Sequence, residues 1–190
     1  MPLSAVALCS RALIKLGASP IASLDEGTAE AEVARTLYAP VRDALLSGHP
    51  WTFATAQATL ARLSGPPVAD FSFAYQLPAD HLRTLSAGGP DGRGHGVAYR
   101  QAEDRLWTDA GAVTLTYIFR PDESAFPPHF VEALSARLAA DFCLPLTEST
   151  SRGQLLHGLA EEAFRAARRI DSQQDTPPAF TDFPLVEVRG

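Results

Sequence analysis

The chain has 190 residues, 46% hydrophobic and 20% charged, which is enough apolar material for one globular core and too much for a disordered polymer. A formal charge of −6 and a pI near 5.3 argue against a protein that binds nucleic acid by neutralising phosphates, since Lys15 is the single lysine and the arginines are scattered apart from Arg168-Arg169. No apolar run approaches the roughly 18 residues of a membrane span and no charged leader precedes one, so the expectation is a soluble protein made in a cytosol.

The first predicted element is a short, largely buried helix beginning at Leu3 or Ser4. Val6, Leu8, Leu13 and Leu16 give it a broad apolar stripe, and Gly17 followed by Pro20 supplies the stop. Thr28 is the expected N-cap of a second helix, with Glu30 and Glu32 in the first turn, where the helix dipole favours negative charge. Ala29, Val33, Leu37, Val41 and Leu45 recur every four residues and share one face. Pro40 inside that pattern removes a backbone hydrogen bond and predicts a kink or break. The helix runs into Gly48-His49-Pro50, and from Trp51 the period becomes two for about ten residues, predicting a strand.

Further strand-like runs follow at 71–77, 81–87, 97–100, 105–108 and 112–119, separated by turn-rich stretches such as GGPDGRGHG at 88–96. Short connections imply antiparallel pairing, in a meander or small barrel, because parallel strands need long crossovers. The helical period returns after Pro127-Pro128, with Phe130, Leu134, Leu138 and Phe142 repeating at four and Pro145 closing the segment. A fourth helix is predicted from about Glu148 to Ser172, with Leu155, Leu156, Leu159, Ala163, Ala166 and Ile170 facing inward. The expected architecture is α+β: a four-helix bundle from residues 1–50 and 122–172, an inserted small antiparallel β module at 51–121, and an extended C-terminal tail at 173–190. That tail contains three prolines, yet Phe180, Phe183, Leu185, Val186 and Val188 are too apolar for an ordinary solvated segment. Apolar anchors on extended chain need a groove or sheet edge, and docking onto another subunit is preferred over folding back.

Signals for chemistry are few. The sequence contains no GxGxxG opening a helix, P-loop, HExxH or GxSxG. GGPDGRGHG has the composition of a phosphate cradle, but no helix start follows it and a hairpin loop is the preferred reading. The histidines at 49, 81, 95, 129 and 157 show no i, i+2 or i, i+4 spacing that chelates a metal, so no metal or cofactor is expected. Ser149, Thr150 and Ser151 read as helix-capping hydroxyls, and Trp51 and Trp107 as core aromatics in preference to partner-facing anchors. Cys9 and Cys143 read as reduced core residues in preference to a disulfide. A small hydrolase using Asp80 and His81 is a remote alternative to a non-enzymatic role.

In order and spacing, LGASPIASLDE, a helix closing in LLSGHPWTFA, YQLPADHLR, RLW and VTLTYIFRPDESAFPPHFVEALSARLAADFCLPL resemble the tail tubular protein A family of short-tailed phages, the head-to-tail adaptors. The likeness spans about residues 8 to 170, and Pro40 is a departure from the family pattern. The resemblance implies a virion protein of the neck region, made in the host cytoplasm, that assembles as a ring of typically twelve copies beneath the capsid portal. Its C-terminal tail, through Phe180, Phe183, Leu185, Val186 and Val188, would bind the portal protein. The β module, through Gly92, Arg93, Gly94 and His95, would face the next tail or nozzle protein, and this loop is expected to be mobile until it meets a neighbour. DNA would pass through the central channel without specific binding, for which net acidity is suited. Another neck or tail-completion protein, a tail terminator or stopper, is the alternative.

Overall fold

The computed structural model describes residues 3–89 and 94–174. Four helices, α1 (Ala5–Leu16), α2 (Ala29–Ser47), α3 (Pro128–Thr147) and α4 (Thr150–Asp171), flank six strands: β1 (Thr55–Thr59), β2 (Phe73–Gln76), β3 (His81–Gly88), β4 (Tyr99–Ala102), β5 (Arg105–Thr108) and β6 (Thr114–Phe119). The strands form two three-stranded antiparallel sheets, ordered β1-β6-β3 and β2-β5-β4.

The caps follow local chemistry. Ser4 Oγ accepts from the Ala7 amide, Thr28 Oγ1 from the Ala31 amide and Ser149 Oγ from the Arg152 amide. Gly17 takes the left-handed conformation (φ 71°) that closes α1, with its amide on the Ile14 carbonyl and the Ala18 amide on Leu13. The β4–β5 hairpin turns on Glu103 and Asp104, both at positive φ (52° and 55°), the backbone a two-residue type I′ turn requires.

The expected four-helix bundle with one β insert and a tail is not what the chain forms. The fold is mixed α+β, and its helical part is centred on α3, against which α1, α2 and α4 each pack. The physical reason lies in α3 itself, which buries residues right round its circumference, among them Phe130, Val131, Leu134, Leu138, Ala139, Phe142 and Cys143. A helix apolar on every side accepts neighbours on every side, so the other three have no need of a common four-helix axis. Ile118 of β6 joins this core, with Leu82, Leu85 and Phe53 against it. A second core, including Leu60, Tyr75, Leu106, Leu115 and Tyr117, draws residues from both sheets. Residues 175–190, where the extended tail was expected, lie outside the described residues.

Four local expectations are corrected as well. α2 is continuous through Pro40, whose ring lies on an exposed face where the one missing hydrogen bond is tolerated. α3 likewise passes Pro145 and ends only where Glu148 turns left-handed (φ 53°) and donates its amide to the Leu144 carbonyl. Trp51 does not begin a strand: it heads a 3₁₀ turn over Thr52–Ala54, and β1 starts at Thr55. In α4 the buried positions are Gly153, Ala160, Ala167 and Asp171, while Leu155 (64% exposed), Leu159 (50%) and Ile170 (45%) face solvent. Small residues let the α4 backbone approach α3 closely, and that packing turns the large leucines outward. Cys9 and Cys143 are free and buried, and burial pushes the Cys9 thiol up to about 12.

Candidate functional site

Where α2 ends, Gly48-His49-Pro50-Trp51-Thr52 gathers side chains from both halves of the chain. Trp51 is fully buried and donates its indole N–H to the Leu45 carbonyl (3.1 Å), capping the end of α2. Its ring meets His49, Phe130 and Phe164 edge-on, with centroids 4.8, 5.1 and 5.8 Å away. Gly48 suits this crowding: a Cβ there would sit 3.3 Å from the tip of Phe164, which would have to shift by a few tenths of an ångström.

Against this corner lies Asp171, the last residue of α4, with a side chain 1% exposed. A carboxylate at a helix C-terminus opposes the helix dipole, so its burial needs compensation from elsewhere. Thr52 supplies it, donating its amide to Oδ1 and Oδ2 (3.2 and 3.1 Å) and its hydroxyl to Oδ1 (2.8 Å). Two imidazoles flank the same carboxylate, His49 Nε2 at 3.4 Å from Oδ2 and His129 Nε2 at 3.7 Å from Oδ1. His129 Nε2 is buried without a hydrogen-bond partner, its distance to Asp171 Oδ1 being too long for a hydrogen bond. Burial holds the His49 imidazole below its ordinary range; Asp171 pulls it upward and Arg168 pushes it further down. The result is a clasp joining the end of α2, the entry to β1, the start of α3 and the end of α4.

A second polar cluster ties α2 to the link between β6 and α3. The Tyr38 hydroxyl donates to Glu123 Oε1 (2.9 Å), Arg42 reaches the same oxygen (3.3 Å), and Arg120 holds Asp43 with two hydrogen bonds (3.1 and 2.8 Å). Burial, reinforced by Glu123, pushes the Tyr38 phenol up. Burial works to raise the Asp43 carboxyl, but hydrogen bonds from Arg120 and Arg42 hold it below its usual range.

The residues singled out in the sequence are distributed as follows. Phe180, Phe183, Leu185, Val186 and Val188, together with Gly92 and Arg93, lie outside the described residues. Gly94 is buried at φ 80°, where a Cβ would be 3.1 Å from Thr116 Oγ1, whereas His95 is exposed. The loop closes on β3 through a Gly88–Gly96 bridge and the Val97 amide on the Ala87 carbonyl (3.1 Å). Asp80 and His81 are occupied locally. The Tyr117 hydroxyl donates to Asp80 Oδ1 (3.3 Å), His81 Nε2 contacts Thr84 Oγ1 (2.9 Å), and the His81 ring stacks on Tyr117 at 5.8 Å. Burial lowers the His81 imidazole despite Asp104 and Asp80 nearby. Among the described residues no group of three His, Cys, Asp or Glu side chains is arranged to hold a metal ion, and no helix is long and apolar enough to cross a membrane.

The sequence pattern does not reveal the clasp: His129 falls at a helix start, His49 lies just before Trp51, and Asp171 is near the end of the predicted fourth helix. One signal was present, since Asp171 falls four residues after Ala167 and eleven after Ala160, on the small-residue face that packs inward. Also missed was a groove floored by α3 between α2 and α4. It comprises two clefts that share Asp141, of about 310 and 520 Å³. A scan against protein-family models and a search of curated proteins return no match for the chain.

Proposed function

We propose that this protein is a head-to-tail adaptor of a phage virion: a non-catalytic ring protein that joins the capsid portal to the next tail component and leaves a channel for DNA. The observation that carries this reading is where the resembling stretches fall in the fold. SGHPWTFA builds the clasp, YQLPADHL turns β2 into β3, and FRPDESAFPPHF links β6 to α3 and supplies Arg120 and Glu123 to the second polar cluster. These are the places where the helices and sheets are fastened together, so the likeness covers the frame of the fold and not a scatter of surface motifs.

Attachment in this reading proceeds by mutual burial. Phe180, Phe183, Leu185, Val186 and Val188 insert between portal subunits, each large side chain contributing roughly 1.5 to 3 kcal/mol before ordering costs. Gly92, Arg93 and His95 form the tail-side contact, and Gly94, expected there from the sequence, is buried and holds the loop against Thr116 instead. Repetition round a ring converts a modest single contact into a joint that does not come apart. The test is mass determination in solution, for the protein alone and mixed with rings of the portal protein encoded in the same genome. A stable multi-copy complex with the portal is the expected result. Indifference to the portal, with binding to tail-tube protein instead, would overturn the adaptor reading in favour of a tail terminator or stopper.

A further inference from the structure

The α2–α3–α4 groove is walled mainly by apolar side chains. Val33, Leu37, Val41 and Ala44 of α2 form one wall, Leu144 of α3 the floor, and Phe164 of α4 the other wall. From Val33 to Ala44 the wall is about 17 Å long at 1.5 Å per residue. On α4 itself a second apolar surface has no partner among the described residues, the ridge of exposed Leu155, Leu159 and Ile170 with half-buried Ala166 between them, about 22 Å long by the same rise. At 100° per residue these four side chains fall within about 60° of one another, and their mean direction is about 180° from that of the groove-lining His157, Glu161 and Phe164. Groove and ridge therefore face opposite ways from a single helix.

We propose that the groove of one subunit receives the α4 ridge of a second copy of this chain, head to tail. Two complementary surfaces on opposite sides of a subunit cannot satisfy each other in a two-fold pair; each pairing leaves one groove and one ridge free, and repetition closes into a ring when the rotation allows. Charge favours the same partner. The groove carries Glu32, Asp141 and Glu161 against Arg137, three negative and one positive, net −2. The ridge is flanked by Arg152 and Arg169 against Glu162, two positive and one negative, net +1. The ridge is long enough to fill the groove, both surfaces are mainly apolar, and their rims are of opposite sign. The inference deepens the ring of the proposed function and rests on that reading for closure, but the pairing itself stands on the two surfaces.

The experiment uses the full chain in two forms: a ridge variant, Leu155→Glu with Leu159→Glu, and a groove variant, Ala44→Glu with Leu144→Glu. All four positions are exposed, so circular dichroism and thermal melting should match the wild type. Should either form fold poorly, Leu159→Gln and Ala44→Gln replace them. Sedimentation velocity at rising concentration should show a multi-copy wild type, with or without portal rings, and two variants that are monomeric on their own. An equimolar mixture of the variants should give a species of two chains and nothing larger, because the intact groove of one takes the intact ridge of the other and both remaining surfaces are blocked. A mixture that stays monomeric, a variant that assembles as the wild type does, or a wild type that stops at two copies would each overturn the pairing. If the wild type and both variants all form rings, this interface is wrong and the ring stands. If the wild type associates in neither setting, the ring reading falls with it.

Discussion

His49 sits where a neutral imidazole is favoured, because burial beside Trp51 costs the charged form more than Asp171 returns to it. Its pKa in the folded protein is therefore below that of the unfolded chain. An unfolded histidine begins to bind protons near its ordinary value of about 6.5, while the folded one resists, so folding stability is complete above that pH and falls as the pH drops through the folded value. His81 is lowered for the same reason and adds to the decline. The expected outcome is a urea midpoint that decreases on acidification from pH 7 towards 5, with a shallower slope in His49→Gln and the shallowest in His49→Gln with His81→Gln. Equal slopes in all three proteins would refute the assignment. Asp171→Ala leaves the Thr52 amide and hydroxyl without their acceptor and should cost about 2 kcal/mol in the same measurement.

Element behaviour is best tested in α4, where the sequence pattern and the packing disagree. The run Leu155, Leu159, Ala166, Ile170 is a convincing apolar stripe, and periodicity alone assigns it to the core. Packing instead selects Ala160 and Ala167, because an approach of α4 to α3 limited by Cβ atoms buries more of the backbone than one held off by leucines. The two faces should then respond in opposite ways to added bulk. Gly158, with open space around its missing Cβ, should accept alanine with a gain of about 0.8 kcal/mol from helix propensity. Ala167, 2% exposed, should lose about 1 to 3 kcal/mol on replacement by leucine through overpacking. Denaturant midpoints of Gly158→Ala and Ala167→Leu decide this, and a neutral Ala167→Leu would mean that α4 is not seated on its small-residue face.

At the scale of the whole molecule the clasp holds the end of α4, where the chain passes into residues 175–190, against the entry to the first sheet through Asp171, Thr52 and Gln174. Truncation after Gln174 keeps all of those contacts. The shortened protein should melt within a few degrees of the full chain and, on the proposed adaptor reading, fail to join portal rings in a pull-down. Retained attachment would remove Phe180, Phe183, Leu185, Val186 and Val188 from the proposed portal contact. The helical core also includes Ile118, Leu82 and Leu85 from the first sheet, so helices and sheet should unfold together in one transition followed by circular dichroism.

Local chemistry decided where elements begin and end. Ser4, Thr28 and Ser149 cap helices, Gly17 stops one, and four of the six strand-like runs hold a strand where alternation placed it while a fifth overlaps β4 by two residues, because caps and pleats are satisfied within a few residues. The sixth run lost its first four residues to the Trp51 corner, whose partners come from residues 129, 130, 164 and 171. Continuity through Pro40 and Pro145, the division of the strands into two sheets and the face that α4 buries were likewise settled only by packing. Sequence pattern shows that a residue is apolar and how often such residues recur. Which of two apolar faces is covered depends on how closely two backbones can approach, a quantity that exists only once α3 stands between its neighbours.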